Sequence, residues 1–283
     1  MSINKRLFLF AGYDKDGIID DTLVYDVSAL SKLGDVVLVM DSDCKKQEIN
    51  KIKKYCRYIE SKRHGEYDFG SYKRAYLWAT QKLGLKNYDY VYMINDSVYG
   101  PFFDMKYYIT KMESLGKSAF GMVDKTGGHA PHVQSWFIGM GPDVFMSKWF
   151  DEFIKSVCRQ ESKNVVAIMY ETGFTTLLKK HNISYSCLYH VFNRGVYKSI
   201  KHLFKQRMPF MKKVAFLALE GALGYQIRYV LKNIPKKLSK AIVKNAERVY
   251  GKEYTNWVLN NNFMISVTTK IKHAIKRICH GKI

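Results

Sequence analysis

The sequence predicts an α/β domain on a mostly parallel sheet flanked by helices, followed by a basic helical region, and three observations lead there. Up to about residue 190, short apolar runs alternate with segments of helical periodicity. The turns that follow the apolar runs are dense in Asp, Asn, Ser and Gly, as they are where ligands gather at the carboxyl ends of parallel strands. The charge is lopsided: of a formal net +21, residues 194–283 hold 20 Lys and Arg against 3 Asp and Glu.

The elements follow in order. Strands are expected at Arg6–Ala11, Val36–Met40, Tyr90–Ile94, Ala119–Val123 and Trp136–Met140, with a further one at Ser184–Leu188; each is a short apolar or aromatic run bounded by turn residues. Helices are expected at Asp20–Leu33, Lys45–Lys54, Phe69–Leu83, Phe103–Ser114, Asp143–Val157 and Tyr170–Lys180. Domain limits of 1–193 and 194–283 follow from the composition shift near Asn193-Arg194-Gly195. There is no internal repeat, low-complexity tract or long linker.

Composition excludes several classes. With 47% hydrophobic and 14% aromatic residues the chain is folded, and at 283 residues it is long enough for a substantial core. Its five cysteines lack metal-like spacing and are odd in number, favouring a reducing compartment over a disulfide framework. The start, MSINKRLFLFAGYDKD, has too short an apolar run for a signal peptide, which leads to the expectation of a cytoplasmic protein.

The basic region suggests a polyanionic partner. After Pro209, a plausible helix start, Phe216, Leu219, Leu223, Ile227 and Val230 recur at helical spacing, and so do Leu238, Ile242 and Val249, then Ile271, Ile275 and Ile278. The longest apolar segment, 214-VAFLALEGALGY-225, is too short to cross a bilayer. The favoured partner is therefore an anionic membrane surface, with packing on the first domain as the competing reading. No nucleic-acid partner is expected, because no RNA- or DNA-binding signature occurs.

The strand-end turns are 12-GYDKDGIIDD-21, 41-DSD-43, 95-NDS-97 and 124-DKTGGHAPH-132, and none contains GxGxxG or a P-loop. One remaining way to hold a nucleotide is through a divalent cation, Mg²⁺ or Mn²⁺, bound by a strand-end carboxylate and the substrate's phosphates. The run 89-DYVYMINDSVYGPF-102 then stops on Asp96 for that purpose, although Asn and Asp also start turns.

The blocks 10-FAGYDKDGIIDD-21, 64-HGEYDFGSYKRA-75, 95-NDSVYGPF-102, 132-HVQSWFIGM-140 and 170-YETGFTTLLKKH-181 resemble, over about residues 5–190, the rhamnan synthesis F family of bacterial cell-surface polysaccharide glycosyltransferases. The resemblance implies a GT-A-like (Rossmann-like) fold and transfer of an activated sugar from a nucleotide-sugar donor to a lipid-linked saccharide. The enzyme would sit peripherally on the inner face of the cell membrane. It implies dTDP-rhamnose as the first donor to try; alternatives are a UDP-hexose-dependent transferase of the same fold and a non-catalytic saccharide-binding or assembly subunit.

The site residues carry over block by block. Asp96 is expected beside the donor diphosphate as a catalytic residue and metal ligand, although Asn95-Asp96-Ser97 departs from the Asp-x-Asp usual in GT-A enzymes. Asp14, Asp41, Arg63, Asp68, Lys73, Arg74, Asn95 and Ser97 are expected at the donor; Asp68 could instead cap its helix, and Lys73 and Arg74 could be a solvated face. His132, Gln134, Ser135 and Trp136 are expected at the acceptor, with His129 a weaker candidate. Inverting transfer needs a general base, and Glu171, at the start of an expected helix, is the candidate; a charge-stabilised cap competes. His190 resembles the downstream histidine that some GT-A enzymes use as a metal ligand. Tyr67, Tyr99, Phe102, Trp136 and Tyr170 are candidates for stacking on sugar.

Overall fold

The computed structural model describes residues 4–127 and 130–279. The strands are β1 Arg6–Gly12, β2 Asp35–Met40, β3 Tyr58–Ser61, β4 Tyr90–Asn95, β5 Val98–Tyr99, β6 Ala119–Thr126, β7 His132–Val133, β8 Phe137–Met140, β9 Tyr185–Phe192 and β10 Met211–Lys212. Eight of them form one sheet in the order β3-β2-β1-β4-β8-β6-β7, with β9 pairing β6. The β3-β2-β1-β4 half is parallel, β8 runs antiparallel to β4 and β6, and β9 is parallel to β6. This mostly parallel mixed sheet with flanking helices is the α/β architecture expected.

The near-continuous apolar runs of β1, β2 and β4 are what a sheet covered on both faces requires: Leu7 to Phe10, Val37 to Met40 and Val91 to Ile94 are fully buried. Register then gathers the polar turns. Gly12 lies opposite Met40 and Ala11 opposite Asn95, so β1, β2 and β4 end together. Because β8 runs the other way, its first residue, Phe137, pairs with Ile94 near the end of β4, bringing residues 132–136 to the same edge. Helix Tyr67–Lys82, which follows β3, starts from that edge too.

Several elements differ from expectation. β3 is missed by an apolar count because all four of its residues are only half-buried. The single helix expected over Asp143–Val157 is two, Pro142–Phe145 and Lys148–Ser156, because the Ser147 side chain accepts from the Phe150 N–H and caps the second. β8 starts at Phe137, one residue later than expected.

The chain divides into two compact units, residues Met1–Asp96 with Asp104–Asn193, and Ser97–Phe103 with Arg194–Ile283. Ser97–Phe103, placed in the first domain by the sequence reading, belong to the second unit. There β5 pairs antiparallel with β10, Tyr99 opposite Met211, and the buried Tyr99 hydroxyl donates to Asn245 Oδ1 at 2.6 Å. Gly100 is required in that turn: at φ +149°, a Cβ would lie 2.6 Å from the Pro209 carbonyl oxygen.

The second unit revises the reading of the basic region. Pro209 precedes β10 rather than a helix, and the apolar segment 214–225 is broken by left-handed backbone at Leu219, Glu220 and Gly221. Regular helices follow at Gly224–Lys232, Lys236–Tyr250, Lys252–Asn260 and Phe263–Cys279. Phe216, Leu223, Ile227, Val230, Leu238 and Ile242 are fully buried, so this stripe is a core and not a free apolar face. Ile271 and Ile275 are exposed, and the side chain of Ile278 lies outside the described residues. Among the described residues no helix is long and apolar enough to cross a membrane.

Candidate active site

The site grows from helix Tyr67–Lys82. The turn before it is set by Asp41, which follows β2: its buried Oδ1 accepts from the N–H groups of His64 at 2.7 Å and Gly65 at 2.9 Å. Gly65 takes φ +71°, a left-handed conformation that glycine adopts without steric cost. His64 fixes the turn further, with Nδ1 accepting from the Glu66 N–H at 3.1 Å and Nε2 at 3.0 Å from Ser71 Oγ. Asp68 and Tyr72 follow in the helix at a spacing of four, which puts them on one face.

Asp68 does not cap its helix. It lies within the first turn and its Oδ2 accepts from Asn95 Nδ2 at 2.9 Å, at the end of β4. Burial first, and then the neighbouring Glu171 charge, pushes the Asp68 carboxyl up to about 6, while Lys163 opposes the shift. Tyr72 is fully buried, and burial followed by the charge of Asp68 holds its hydroxyl well above the ordinary range; the charges of Glu171 and Asp96 act in the same direction. It remains a protonated donor, giving its hydrogen bond to the Ser135 carbonyl at 3.0 Å.

Ser135 in turn holds Glu171. Its N–H donates to Glu171 Oε1 at 2.8 Å and its hydroxyl lies 3.1 Å from the same oxygen. Glu171 Oε2 is left with the His132 ring, whose Nε2 is 3.9 Å away, beyond hydrogen-bond distance. His132 Nδ1 lies 2.7 Å from the Ala130 carbonyl, a contact made only by a protonated Nδ1, so in neutral His132 the lone pair of Nε2 faces Glu171. Glu171 is not at a helix start, contrary to expectation. It lies in a π-helical turn, Ala167–Thr172, between helices Lys163–Val166 and Gly173–Lys180, so the cap reading has no terminus to act on.

Asp68, Asn95, Ser135 and Glu171 are thus brought together, with His132 beside Glu171 and the charge of Asp96 felt at Tyr72. The Asp96 N–H donates to the Ala11 carbonyl at 3.1 Å, continuing the β1–β4 register past the strand's end. Arg63 follows β3, its Nη1 2.8 Å from the Asp41 carbonyl and its guanidinium 4.7 Å above the ring of Tyr13. Half of the Arg63 side chain and half of Tyr13 face solvent.

Other expected residues serve elsewhere. Lys73 Nζ donates to the Val157 carbonyl at 2.7 Å, closing the end of helix Lys148–Ser156. Arg74 is held by Glu66 at 2.8 Å and the Gly70 carbonyl at 3.0 Å. Neither is an open cation at the strand ends. Asp14 Oδ1 accepts from the N–H groups of Asp16 and Ile18 and shapes its own loop. Ser97 belongs to the second unit, where Lys212 Nζ lies 3.0 Å from its hydroxyl.

The acceptor candidates divide similarly. Trp136 is 2% exposed, with its indole N–H on Gln134 Oε1 at 2.7 Å, so it has no face left for a sugar, and Gln134 is buried with it. Of the stacking candidates, Tyr99, Phe102 and Tyr170 are also buried, while Tyr67 keeps 38% exposure. His190 Nδ1 is 2.9 Å from Asp124 Oδ2, its neighbour across β6 and β9. Among the described residues no group of three or more His, Cys, Asp or Glu is arranged to hold a metal ion. His129 lies outside the described residues.

Tyr72 and Lys163 were missed by sequence reasoning. The four-residue spacing of Asp68 and Tyr72 was the available signal for the first, and nothing in the sequence marks the second.

The chain matches the family described as rhamnan synthesis protein F over residues 36–281. It belongs to the rhamnan synthesis F family. The match runs through the second unit, which the resemblance drawn over residues 5–190 did not cover. Rhamnan synthesis F proteins are glycosyltransferases, so the chain is an enzyme of that class, built on a mostly parallel mixed sheet. Among solved structures it is similar to a protein from Desulfovibrio desulfuricans G20 described as a nucleotide-diphospho-sugar transferase, with 14% identity, a TM-score of 0.41, and 81% of this chain and 99% of that one covered. It is also similar to the mannosyltransferase Ktr4p from S. cerevisiae in complex with GDP, with 10% identity, a TM-score of 0.38, and 64% and 69% covered. A third is core-mannan synthase A from Aspergillus fumigatus in a Mn/GDP form, with 11% identity, a TM-score of 0.35, and 61% and 69% covered. Comparison with curated proteins gives no match.

Proposed function

We propose that the first unit transfers a sugar from a nucleoside-diphosphate donor, dTDP-rhamnose first, to a hydroxyl of a lipid-linked saccharide, with inversion and with Glu171 as the general base. The observation that carries this reading is the two-sided state of Glu171: Oε1 is held by both donors of Ser135, and among the described residues Oε2 has no hydrogen bond, with the His132 ring 3.9 Å away. A carboxylate aimed by one oxygen and available at the other is what proton abstraction needs. The acceptor oxygen attacks the anomeric carbon as its proton passes to Glu171 Oε2. The bond from that carbon to the donor phosphate oxygen breaks, and the nucleoside diphosphate leaves with the electron pair.

The His132 ring, its Nε2 3.9 Å from Glu171 Oε2, flanks the acceptor hydroxyl, whose single proton points to Glu171. Arg63 and Asp96, which follow β3 and β4 at the same edge of the sheet, receive the diphosphate, and the exposed ring of Tyr13 under the Arg63 guanidinium suits the donor's planar base. A Mg²⁺ or Mn²⁺ ion fits this set only as an ion carried mainly by the donor phosphates, with Asp96 as the protein's ligand. It would supply charge neutralisation of the leaving group. The basic second unit suits attachment to the cytoplasmic face of an anionic membrane, where a lipid-linked acceptor is presented.

The test is slow donor hydrolysis and transfer across a panel of dTDP- and UDP-sugars. Turnover of dTDP-rhamnose by the protein is expected, and Glu171→Gln lowers turnover by about 10²–10⁴-fold with donor affinity held within a few-fold. Preference for a UDP-hexose would replace the donor. Normal turnover by a folded Glu171→Gln protein would remove the base.

A further inference from the structure

Helix Phe263–Cys279 packs with its sides reversed. Ser266 is buried at 1% exposure and its hydroxyl has no hydrogen-bond partner among the described residues, while Thr269 and His273, on the same side of the helix, are half-buried. His273 Nε2 lies 3.5 Å from Glu220 Oε1. At 100° per residue, Met264, Ile271 and Ile275 lie within about 40° of one another on the opposite side. They are 62%, 53% and 54% exposed. A helix serving only its own unit buries the apolar side and shows the polar one. This one does the opposite.

Its charges border the exposed strip. Lys270 and Lys272, both exposed, lie about 100° to either side of Ile271 and so flank the strip, and the sequence carries no acid after Glu253. Trp257, 49% exposed, packs on Gly221, next to the Glu220 that meets Lys272 and His273, so an amphipathic aromatic stands beside the helix. A second copy seated on this strip would bring like-charged edges together, in a region with 20 basic and 3 acidic residues. Anionic headgroups complement those edges and an acyl boundary accepts the strip.

We propose that helix Phe263–Cys279 is the surface by which the enzyme lies on an anionic lipid bilayer, with Met264, Ile271 and Ile275 at the acyl boundary and Lys270 and Lys272 at the headgroups. The rest of the basic region is core and contributes long-range attraction rather than insertion. The inference deepens the membrane reading given above and rests on it, but vesicle binding is measured without turnover.

The experiment is sedimentation of the full chain with phosphatidylcholine vesicles, with and without phosphatidylglycerol, at low and high salt. The protein is expected to bind the anionic vesicles and to release as salt rises. Ile271→Glu combined with Ile275→Glu lowers partitioning by roughly tenfold or more, with melting temperature and donor hydrolysis unchanged. Lys270→Gln combined with Lys272→Gln lowers it by about tenfold on anionic vesicles only. Unchanged partitioning of the Ile271/Ile275 variant overturns the proposal. So does a wild-type protein that ignores anionic vesicles yet sediments as a dimer that this variant dissolves, since the strip then belongs to a second copy. Vesicle binding without any donor turnover would sink the catalytic proposal and leave this one standing.

Discussion

Replacing Asp68 with Asn should stabilise the protein at neutral pH and do little at acid pH. A carboxyl whose folded pKa lies above its unfolded value binds its proton more tightly in the native state. Its ionisation therefore costs stability as pH rises from about 4 to about 6, and the loss is complete above that range. The gap between the ordinary 3.8 and about 6 corresponds to at most about 3 kcal/mol. Asp68 keeps partial contact with solvent, so about half of that is the realistic loss. An Asn side chain can still accept from Asn95 through its oxygen and carries no charge to oppose Glu171. Thermal melts of wild type and Asp68→Asn at pH 4.5 and 7.5 isolate this group, because the other carboxylates are common to both. A difference of about 1–2 kcal/mol corresponds to roughly 2–6 °C for a chain of this size. The variant should melt higher by that amount at pH 7.5 and by only about a third of it at pH 4.5. Glu171→Gln, which removes the second cause of the shift, should shrink the wild-type loss and bring its end to lower pH, with the onset unchanged. An Asp68→Asn protein that melts no higher at pH 7.5 than at pH 4.5, relative to wild type, refutes the assignment of a raised carboxyl.

Other outcomes follow from the same geometry. Asp96→Asn should abolish transfer with the melting temperature unchanged, since Asp96 lies beyond the buried run of β4; full activity in excess EDTA would reassign Asp96 from an ion to a donor hydroxyl. Tyr72→Phe removes the donor to the Ser135 carbonyl and should cost about 1 kcal/mol of stability. Its kcat should fall by roughly tenfold with KM for the donor little changed, because Ser135 then holds Glu171 less firmly. Equal falls in stability and donor affinity with kcat intact would make Tyr72 a packing residue only.

The sequence made the sheet legible where burial is two-sided. β1, β2 and β4 are continuous apolar runs and could be located to within a residue or two, whereas half-buried β3 and the two-residue β7 leave no periodic trace. The strand-end turns could be marked as a candidate site for the same reason, because carboxyl ends of parallel strands follow from strand assignments alone. What could not be read was which polar groups face one another across long gaps. Lys73 has the composition of a phosphate ligand, yet its reach is decided by the end of a helix 84 residues away. Ser135 reads from the sequence as a sugar contact, and the hydrogen bonds that it makes to a carboxylate 36 residues on carry no local signal. The π turn that orients Glu171 is a one-residue departure from helical spacing, and no residue type announces it.

The excursion of Ser97–Phe103 governs the order in which the molecule can be completed. β5 has no partner until β10 exists, so more than a hundred residues are synthesised after Tyr99 before Met211 can pair with it. During that interval a short strand with Tyr99 and Phe102 uncovered follows directly on Asp96, held at the mouth of a sheet that is itself still being assembled. The second unit is therefore not a detachable tail. Ending the chain at Asn193 strands a piece of that unit within the remaining sequence, and the resulting fragment would report on an orphaned edge as much as on catalysis.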